Sequence, residues 1–430
     1  MRTHLLTFTL FSCLLCSGTN AHAEILVRWD RGQVPSSQSL GISTLVVPAN
    51  DRAAVQDAVA QGYRVYLEVD GAALAGFVVP AWAPAGVIVK GAVSPLTLRQ
   101  FRQRLKLRAI RVIALEERGK WPHIRTNWVT KNNDVLQVTG RSSQPWIESN
   151  AALVRIAQAS QPESVPALAY AWTPITLSDK DEGPAVEDYL VAVAEAGSFG
   201  ADLLLPLHER FQQRLLLGQP QARAEWAQIR RYIEFYSWSL PGRYRPIANI
   251  GVVMGNPMHG FEVMNLLMRH NLPFELVAPA ELPKRDLVGL KLLIVSGEPD
   301  RAQRDVLTEF SRTGGAVKVV DGPVDPNRFA LDVRQLLGRE RRVVDIWNGI
   351  TVLAAPYSEA NGTGAMLTVL NYAHQALPVQ LRIAGTYSEV QYESPEEAPT
   401  LLPHQHRDGY TEFVLPALRV GGRVFLTRAP

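Results

Sequence analysis

The chain has 430 residues, with 44 lysines and arginines against 41 aspartates and glutamates, a formal net charge of +3 and 47% hydrophobic residues. So even a balance gives no electrostatic case for nucleic acid or for an anionic membrane surface, and the length suffices for about two to three domains with cores of their own. The two cysteines, Cys13 and Cys16, both fall in the first 23 residues.

Those residues read as a secretory leader: Arg2, an apolar run from Leu5 to Leu15, and Ala21-His22-Ala23 as an A-x-A cleavage site. Removal after Ala23 starts the mature chain at Glu24 without a thiol. That excludes disulfides, cysteine metal ligands and a cysteine nucleophile. The expected location is periplasmic or secreted, and no later apolar run approaches the roughly 20 residues of a membrane span.

From Ile25 to about Leu240, β-like apolar runs alternate with helical patterns, the signature of βα units around a parallel sheet. The expected strands are Ile25 to Trp29, Thr44 to Val47, Arg64 to Val69, Gly86 to Val89, Ile110 to Leu115, Ile124 to Val129, Ala167 to Trp172 and Asp202 to Leu205. Eight in series point to a closed (β/α)8 TIM-type barrel. The sixth is the most polar of them, and Val135 to Val138 competes with it. Expected helices are Asp51 to Gln61, Ser94-Pro95 through Leu107, Ala151 to Ala159, Val186 to Ala196 and a long amphipathic helix from Glu209 to Ser237.

The stretch from Glu116 to Asn150 holds no helix of ordinary length. Its interleaved Trp121, Trp128, Val129, Val135, Leu136, Val138 and Trp146 argue against disorder, so it reads as an ordered loop over a pocket. The competing reading is a surface excursion pinned by its tryptophans.

Leu240 to Pro246 reads as a linker. After it comes a second α/β unit, 247–342, with strands Ala248 to Met254, Phe274 to Val277, Lys291 to Val295 and Ala316 to Val320, and helices Gly260 to His270 and Arg301 to Thr313. This is a small flavodoxin-like layer. The last part, 343–430, shows seven short alternating runs parted by Gly, Pro and Asn: Val343 to Trp347, Ile350 to Ala354, Ala365 to Asn371, Val379 to Ile383, Glu389 to Tyr392, Thr411 to Leu415 and Arg423 to Thr427. They indicate a β-sandwich. The expected organisation is therefore 1–23 leader, 24–240 barrel, 247–342 α/β domain and 343–430 sandwich.

Ala248-Asn249-Ile250-Gly251-Val252-Val253, Phe261 to Leu267, Leu290 to Val295 and Phe310 to Gly315, with Leu370-Asn371-Tyr372 and Phe413 to Pro416 further on, give an arrangement that resembles the family 42 β-galactosidases. The resemblance implies a barrel glycosidase whose middle domain looks like a class I glutamine amidotransferase and serves trimerisation. Two departures are visible. Ser296-Gly297-Glu298 stands where the amidotransferases have their cysteine. That family's Asn-Glu pair after the fourth barrel strand and its Glu after the seventh are replaced by Lys90-Gly91 and Trp172-Thr173-Pro174. No catalytic motif is matched.

Barrel sites lie at the C-terminal strand ends, which supplies a list independent of the resemblance. Asp30 follows the first strand, Asp70 the third, Lys90 the fourth, Glu116 and Glu117 the fifth, His208 and Glu209 the eighth. Glycoside hydrolysis needs two carboxyls, one protonated and one ionised. Glu116, Glu117, Asp134 and Glu148 are the catalytic candidates. Trp29, Asp30, Lys90, Asn133, Trp146, Trp172 and Glu209 are the substrate-binding ones. Several have a plainer alternative: Glu148 as charge at a helix start, Glu116 and Glu117 as solvated, Asp30 as a partner of Arg28 or Arg31, the tryptophans as core.

His123, His208 and His259 lack metal-ligand spacing and Gly251 to Gly255 lacks a dinucleotide fingerprint, so no metal or cofactor is expected. The sequence thus reads as an exported carbohydrate-active protein, a glycoside hydrolase, with an inert glycan- or partner-binding barrel as the alternative. A homo-oligomer built through the middle domain is expected by analogy.

Overall fold

In a computed structural model, the described residues are 24–30, 32–91, 93–115, 129–132, 135–138, 150–160, 165–170, 181–237, 243–373 and 375–428. The first part is built on β1 (Ile25–Arg28), β2 (Thr44–Pro48), β3 (Arg64–Asp70), β4 (Gly86–Lys90), β5 (Arg111–Leu115), β6 (Val129–Asn132), β7 (Val135–Val138), β8 (Ala167–Ala169) and β9 (Asp202–Pro206). Seven of these form one parallel sheet in the order β5-β4-β3-β2-β1-β9-β8. Its two edge strands, β5 and β8, lie against each other without a ladder, so the sheet curls into a nearly closed TIM-type barrel.

The period of two along each strand sorts side chains inward and outward. Leu26, Val46, Tyr66, Ile88, Ile113, Leu115 and Leu204 pack together inside. Val27, Val47, Val65, Leu67, Leu203 and Leu205 join the core that the surrounding helices share. Burying one such side chain contributes about 1.5–3 kcal/mol, so strands apolar on both faces are held strongly in the sheet. Gly86 is a packing requirement: a Cβ there would stand 2.1 Å from the Tyr66 ring.

The helices begin where their caps predict. Asp51 accepts from Ala54 N at 3.0 Å ahead of Arg52–Ala60, and Ser94 accepts from Thr97 N at 3.0 Å ahead of Pro95–Lys106. Helix Val186–Phe199 is buried along most of its length and stops at Gly200, whose φ of 72° is the left-handed cap conformation.

Three expectations need correction. The sixth barrel strand was expected at Ile124 to Val129. Residues 124–128 lie outside the described residues, Val129 opens β6, and β6 pairs antiparallel with β7 in a hairpin separate from the barrel sheet. Glu209 to Ser237 is two helices, Glu209–Leu216 and Pro220–Tyr236. Gly218, at φ 66°, and Pro220, in the first turn of the second helix, break it although the apolar stripe continues across the break. Part of the expected linker, Tyr244–Pro246, is a strand paired with Val352–Glu359.

The middle unit has four parallel strands, with Ile250–Met254 and Leu292–Ser296 central and Phe274–Val277 and Ala316–Val320 at the edges. Helices Pro257–Arg269 and Arg301–Arg312 were expected; Pro326–Leu337 is an additional one. The C-terminal part is a sandwich of a six-stranded and a four-stranded antiparallel sheet closed over an apolar core that includes Leu367, Val369, Leu381, Leu415 and Val424. Its sheets also include Thr400–Leu401 and His404–Arg407, which are too short and polar to show as strands in the sequence.

Both later units brace the barrel. Helix Ala151–Ser160 packs on helix Pro257–Arg269, and helix Val186–Phe199 packs on strand Gly364–Asn371. Tyr357 Oη donates to Ser198 O at 2.8 Å, and Arg423 Nη2 donates to Phe235 O at 2.6 Å. Tyr372 Oη donates to the buried Glu195 at 2.6 Å, and the same carboxylate accepts from Asn150 N at 3.0 Å. The junction therefore pins the point where the chain returns from 116–149.

Candidate functional site

At the C-terminal end of the barrel the inward positions turn from apolar to charged. Leu26 is followed two residues later by Arg28, and Tyr66 by Glu68. By the same alternation Lys90 shares the inward side with Ile88. Arg28 Nε donates to Glu68 Oε2 at 2.6 Å and Arg28 Nη2 to Glu68 Oε1 at 3.0 Å, a bidentate fork. The third arm of the same guanidinium, Nη1, pairs with Asp30. One cation thus gathers two carboxylates from β1 and β3.

Exposure is graded across this cluster. The Glu68 side chain is 10% exposed, Arg28 18% and Asp30 37%, so Asp30 is the member that opens toward solvent. Burial, with a smaller push from the Glu68 charge, holds the Asp30 carboxyl above its ordinary range against the opposing pull of Arg28 and Lys90. The Asp30 backbone is itself fixed: its N–H donates to Gln212 Oε1 at 3.1 Å, and Gln212, fully buried, donates to Leu207 O at 2.7 Å. Lys90 is exposed and stands across the ladder from Asp70 on one side and Leu115 on the other.

The opposite end of the barrel carries a second polar cluster of different character. Arg111 donates to Asp202 Oδ2 at 2.7 Å and pairs with Glu24 at 3.1 Å; Tyr66 Oη donates to Glu24 Oε2 at 2.6 Å. Asp202 is 3% exposed. Burial pushes its carboxyl up to about 6, with Arg111 and the Glu24 N–H pulling the other way. Four strands, β1, β3, β5 and β9, meet through these contacts.

Of the residues expected from sequence, the structure brings Asp30 and Lys90 to the mouth. Glu209 lies at the same end, exposed in the first turn of its helix beside the cap His208, whose Nδ1 accepts from Arg210 N at 3.3 Å. Asp70 is occupied in capping the short helix Gly71–Gly76, accepting from Ala72 N at 2.8 Å. Trp29 is a correction: it is fully buried and its indole N–H donates to Gln33 O at 2.9 Å, so it offers no face to a sugar. Glu116, Glu117, Asp134, Glu148, Asn133, Trp146 and Trp172 lie outside the described residues.

Glu68 is the residue that sequence reasoning missed. The signal was present, because Tyr66, Glu68 and Asp70 share one parity in a strand whose other parity is Val65, Leu67 and Val69. His404-Gln405-His406 was missed as well; the two rings are 5.5 Å apart, but His406 Nε2 is engaged with Tyr387 O at 2.8 Å. Among the described residues no group of three or more His, Cys, Asp or Glu could hold a metal ion.

No family model matches the chain, and no curated protein matches it either. Solved structures do. α-L-Fucosidase isoenzyme 2 from Paenibacillus thiaminolyticus superposes with a TM-score of 0.57 over 95% of this chain and 100% of its own, at 10% identity. What the two share is the fold. A GH42 β-galactosidase, Gan42B, from G. stearothermophilus matches with a TM-score of 0.45 over 96% of this chain and 99% of its own, at 8% identity. The β-galactosidase from Rahnella sp. R3 gives 0.42 over 93% and 99%, at 9% identity. At those scores the two galactosidases add no weight; of the three, the fucosidase superposition supports a glycoside hydrolase-like fold running through all three parts.

Proposed function

We propose that the protein is an exported glycoside hydrolase, processed after Ala23, that works at the C-terminal mouth of its barrel on a carbohydrate. The observation that carries this reading is the Arg28 fork. Asp30 and Glu68 both touch one guanidinium, which sets a partly open group of charges at the mouth suited to gripping sugar hydroxyls beside the reacting pair. Burial holds the Asp30 carboxyl above its ordinary range, which suits it to share a hydrogen bond with a sugar hydroxyl.

The chain leaves β5 at Leu115, across the ladder from Lys90, and so enters 116–149 from the mouth side. In this reading that stretch supplies the reacting pair from Glu116, Glu117, Asp134 and Glu148. Trp146, Trp172 and Asn133 line the sugar, Lys90 and Glu209 bind its hydroxyls, and the Arg28 cluster orients Asp30 beneath it. The proposal includes the boundaries 24–240, 247–342 and 343–430, and self-association through the middle unit.

The test is turnover of a panel of p-nitrophenyl glycosides by the mature protein and by Glu116→Gln, Glu117→Gln, Asp134→Asn and Glu148→Gln. Two of the four substitutions should lower kcat by at least about 100-fold with the thermal midpoint unchanged, the scale of losing an acid or base. One observation favours a second reading, an inert glycan-binding barrel: β4 ends on Lys90 rather than a carboxylate. Glycan-array binding that survives in Glu117→Gln and Glu148→Gln, with no glycoside turned over, would establish it over the enzyme.

A further inference from the structure

The floor cluster is unbalanced. Among the described residues, Arg111 is the one cation in contact with the carboxylates of Glu24 and Asp202, and Asp202 is almost wholly buried. Among the described residues, the groups that face Asp202 are Arg111 from β5 and Glu24, the residue before β1, with the Tyr66 hydroxyl of β3 reaching Glu24. A buried carboxylate short of a partner charge is costly. The remaining Asp202 oxygen, Oδ1, is not idle: it accepts from the backbone nitrogen of Glu24 at 2.7 Å. That nitrogen belongs to the residue that directly follows Ala21-His22-Ala23.

We propose that removal of the leader after Ala23 completes the barrel floor, because the α-ammonium created on Glu24 forms an ion pair with Asp202 and locks β1 to β9 and, through Arg111, to β5. The proposal rests on the processing step put forward above. A leader-removing peptidase adds water across the Ala23–Glu24 peptide bond; the carboxylate leaves on Ala23 and the nitrogen stays on Glu24, where it takes up a proton at neutral pH. The charge count in the cluster then becomes two against two.

The geometry needs little movement. Leu203 N donates to Glu24 O at 2.9 Å, and Ile25 is the ladder partner of Leu203, so the first residue of the mature chain is already held in register beside Asp202. The uncharged amide that now donates to the Asp202 carboxylate becomes a charged ammonium donor at the same place, so the contact becomes an ion pair. The seam closed in this way is the one between strands contributed by opposite ends of the barrel sequence.

The experiment uses the full mature chain, made to begin at Glu24 by tag removal, and the same chain N-acetylated at Glu24. The ordinary α-amino value is about 7.7–8.0, and each unit by which the fold raises it corresponds to a tenfold factor in the unfolding equilibrium constant. A raised value contributes stability that is fully present below that range and lost as pH rises through the folded value. The free amine should therefore lower the unfolding constant at least about tenfold at pH 7, and the gap between the two chains should close above pH 9. Folded protein should also react with an amine-selective reagent at Glu24 at least tenfold more slowly than unfolded protein.

Asp202→Asn should abolish both differences; should that variant not fold, the acetylated pair and the labelling rates decide alone. Equal unfolding constants with an amine labelled as fast as in unfolded protein would overturn the ion pair. Intact mass of the exported protein reads the processing point, and a chain beginning anywhere but Glu24 would overturn the proposal as well. None of these measurements involves sugar turnover, so failure of the ion pair is separate from any failure of the hydrolase reading.

Discussion

The two ends of the barrel are made from the same kinds of residue and differ in how those residues are satisfied. At the floor, Glu24, Tyr66, Arg111 and Asp202 engage one another across the strands, with the key carboxylate 3% exposed. At the mouth, Arg28 holds a well-covered Glu68 and a Asp30 that is 37% exposed, while Lys90 stands open beyond them. Charges that close on themselves serve assembly; charges graded toward an opening are available to a ligand. That contrast, more than any single residue, is the reason the proposed site is placed at the mouth.

The largest break should come from emptying the floor. Asp202→Ala leaves Arg111 with only the more exposed Glu24, and is expected to destabilise the fold by about 2 kcal/mol, below the 3–5 kcal/mol of a fully buried pair because Arg111 is partly exposed. Urea unfolding checks it, and ligand binding at the mouth should be unchanged in the folded protein. Next comes Gly86→Ala, which pushes a methyl against the Tyr66 ring between floor and mouth. Overpacking of this kind costs roughly 1–3 kcal/mol. The companion Gly86→Ala, Tyr66→Leu double variant should recover part of the loss, which a thermal melt would show.

The smallest effect sharpens the mouth. Because the folded Asp30 carboxyl titrates above its ordinary value, a step that needs it protonated is retained at low pH and lost as pH rises through that raised value. Asp30→Asn should flatten the alkaline limb of the pH–rate profile. An unchanged limb would assign it to another group.

Much of this fold was legible in the chain. Parallel strands buried on both faces show as unbroken apolar runs, so Thr44–Pro48, Gly86–Lys90 and Asp202–Pro206 were visible to within a residue or so. Caps at Asp51 and Ser94 marked helix starts for a local reason, the hydrogen bond to the third residue on. What the chain did not show depends on distance or exposure. Arg111 and Asp202 are 91 residues apart, and nothing local announces their contact. Trp29 looked like a sugar platform because an indole's sequence context says nothing about whether its face is covered. Glu68 was not singled out, although the parity of its strand placed it inside. The break at Gly218 and Pro220 was written in the residues and was masked by an apolar stripe that stays in phase across it.

The most direct test of the mouth as the working end compares Glu68→Gln with Asp202→Asn on the same panel of p-nitrophenyl glycosides, each at a temperature where melts show it fully folded. Glu68→Gln breaks the fork that positions Asp30 and should cut kcat/KM at least about 100-fold, the scale of misplacing a bound substrate, while Asp202→Asn should keep turnover within about threefold of the unaltered protein. Equal losses in both variants, or a loss confined to Asp202→Asn, would contradict the assignment of function to the mouth.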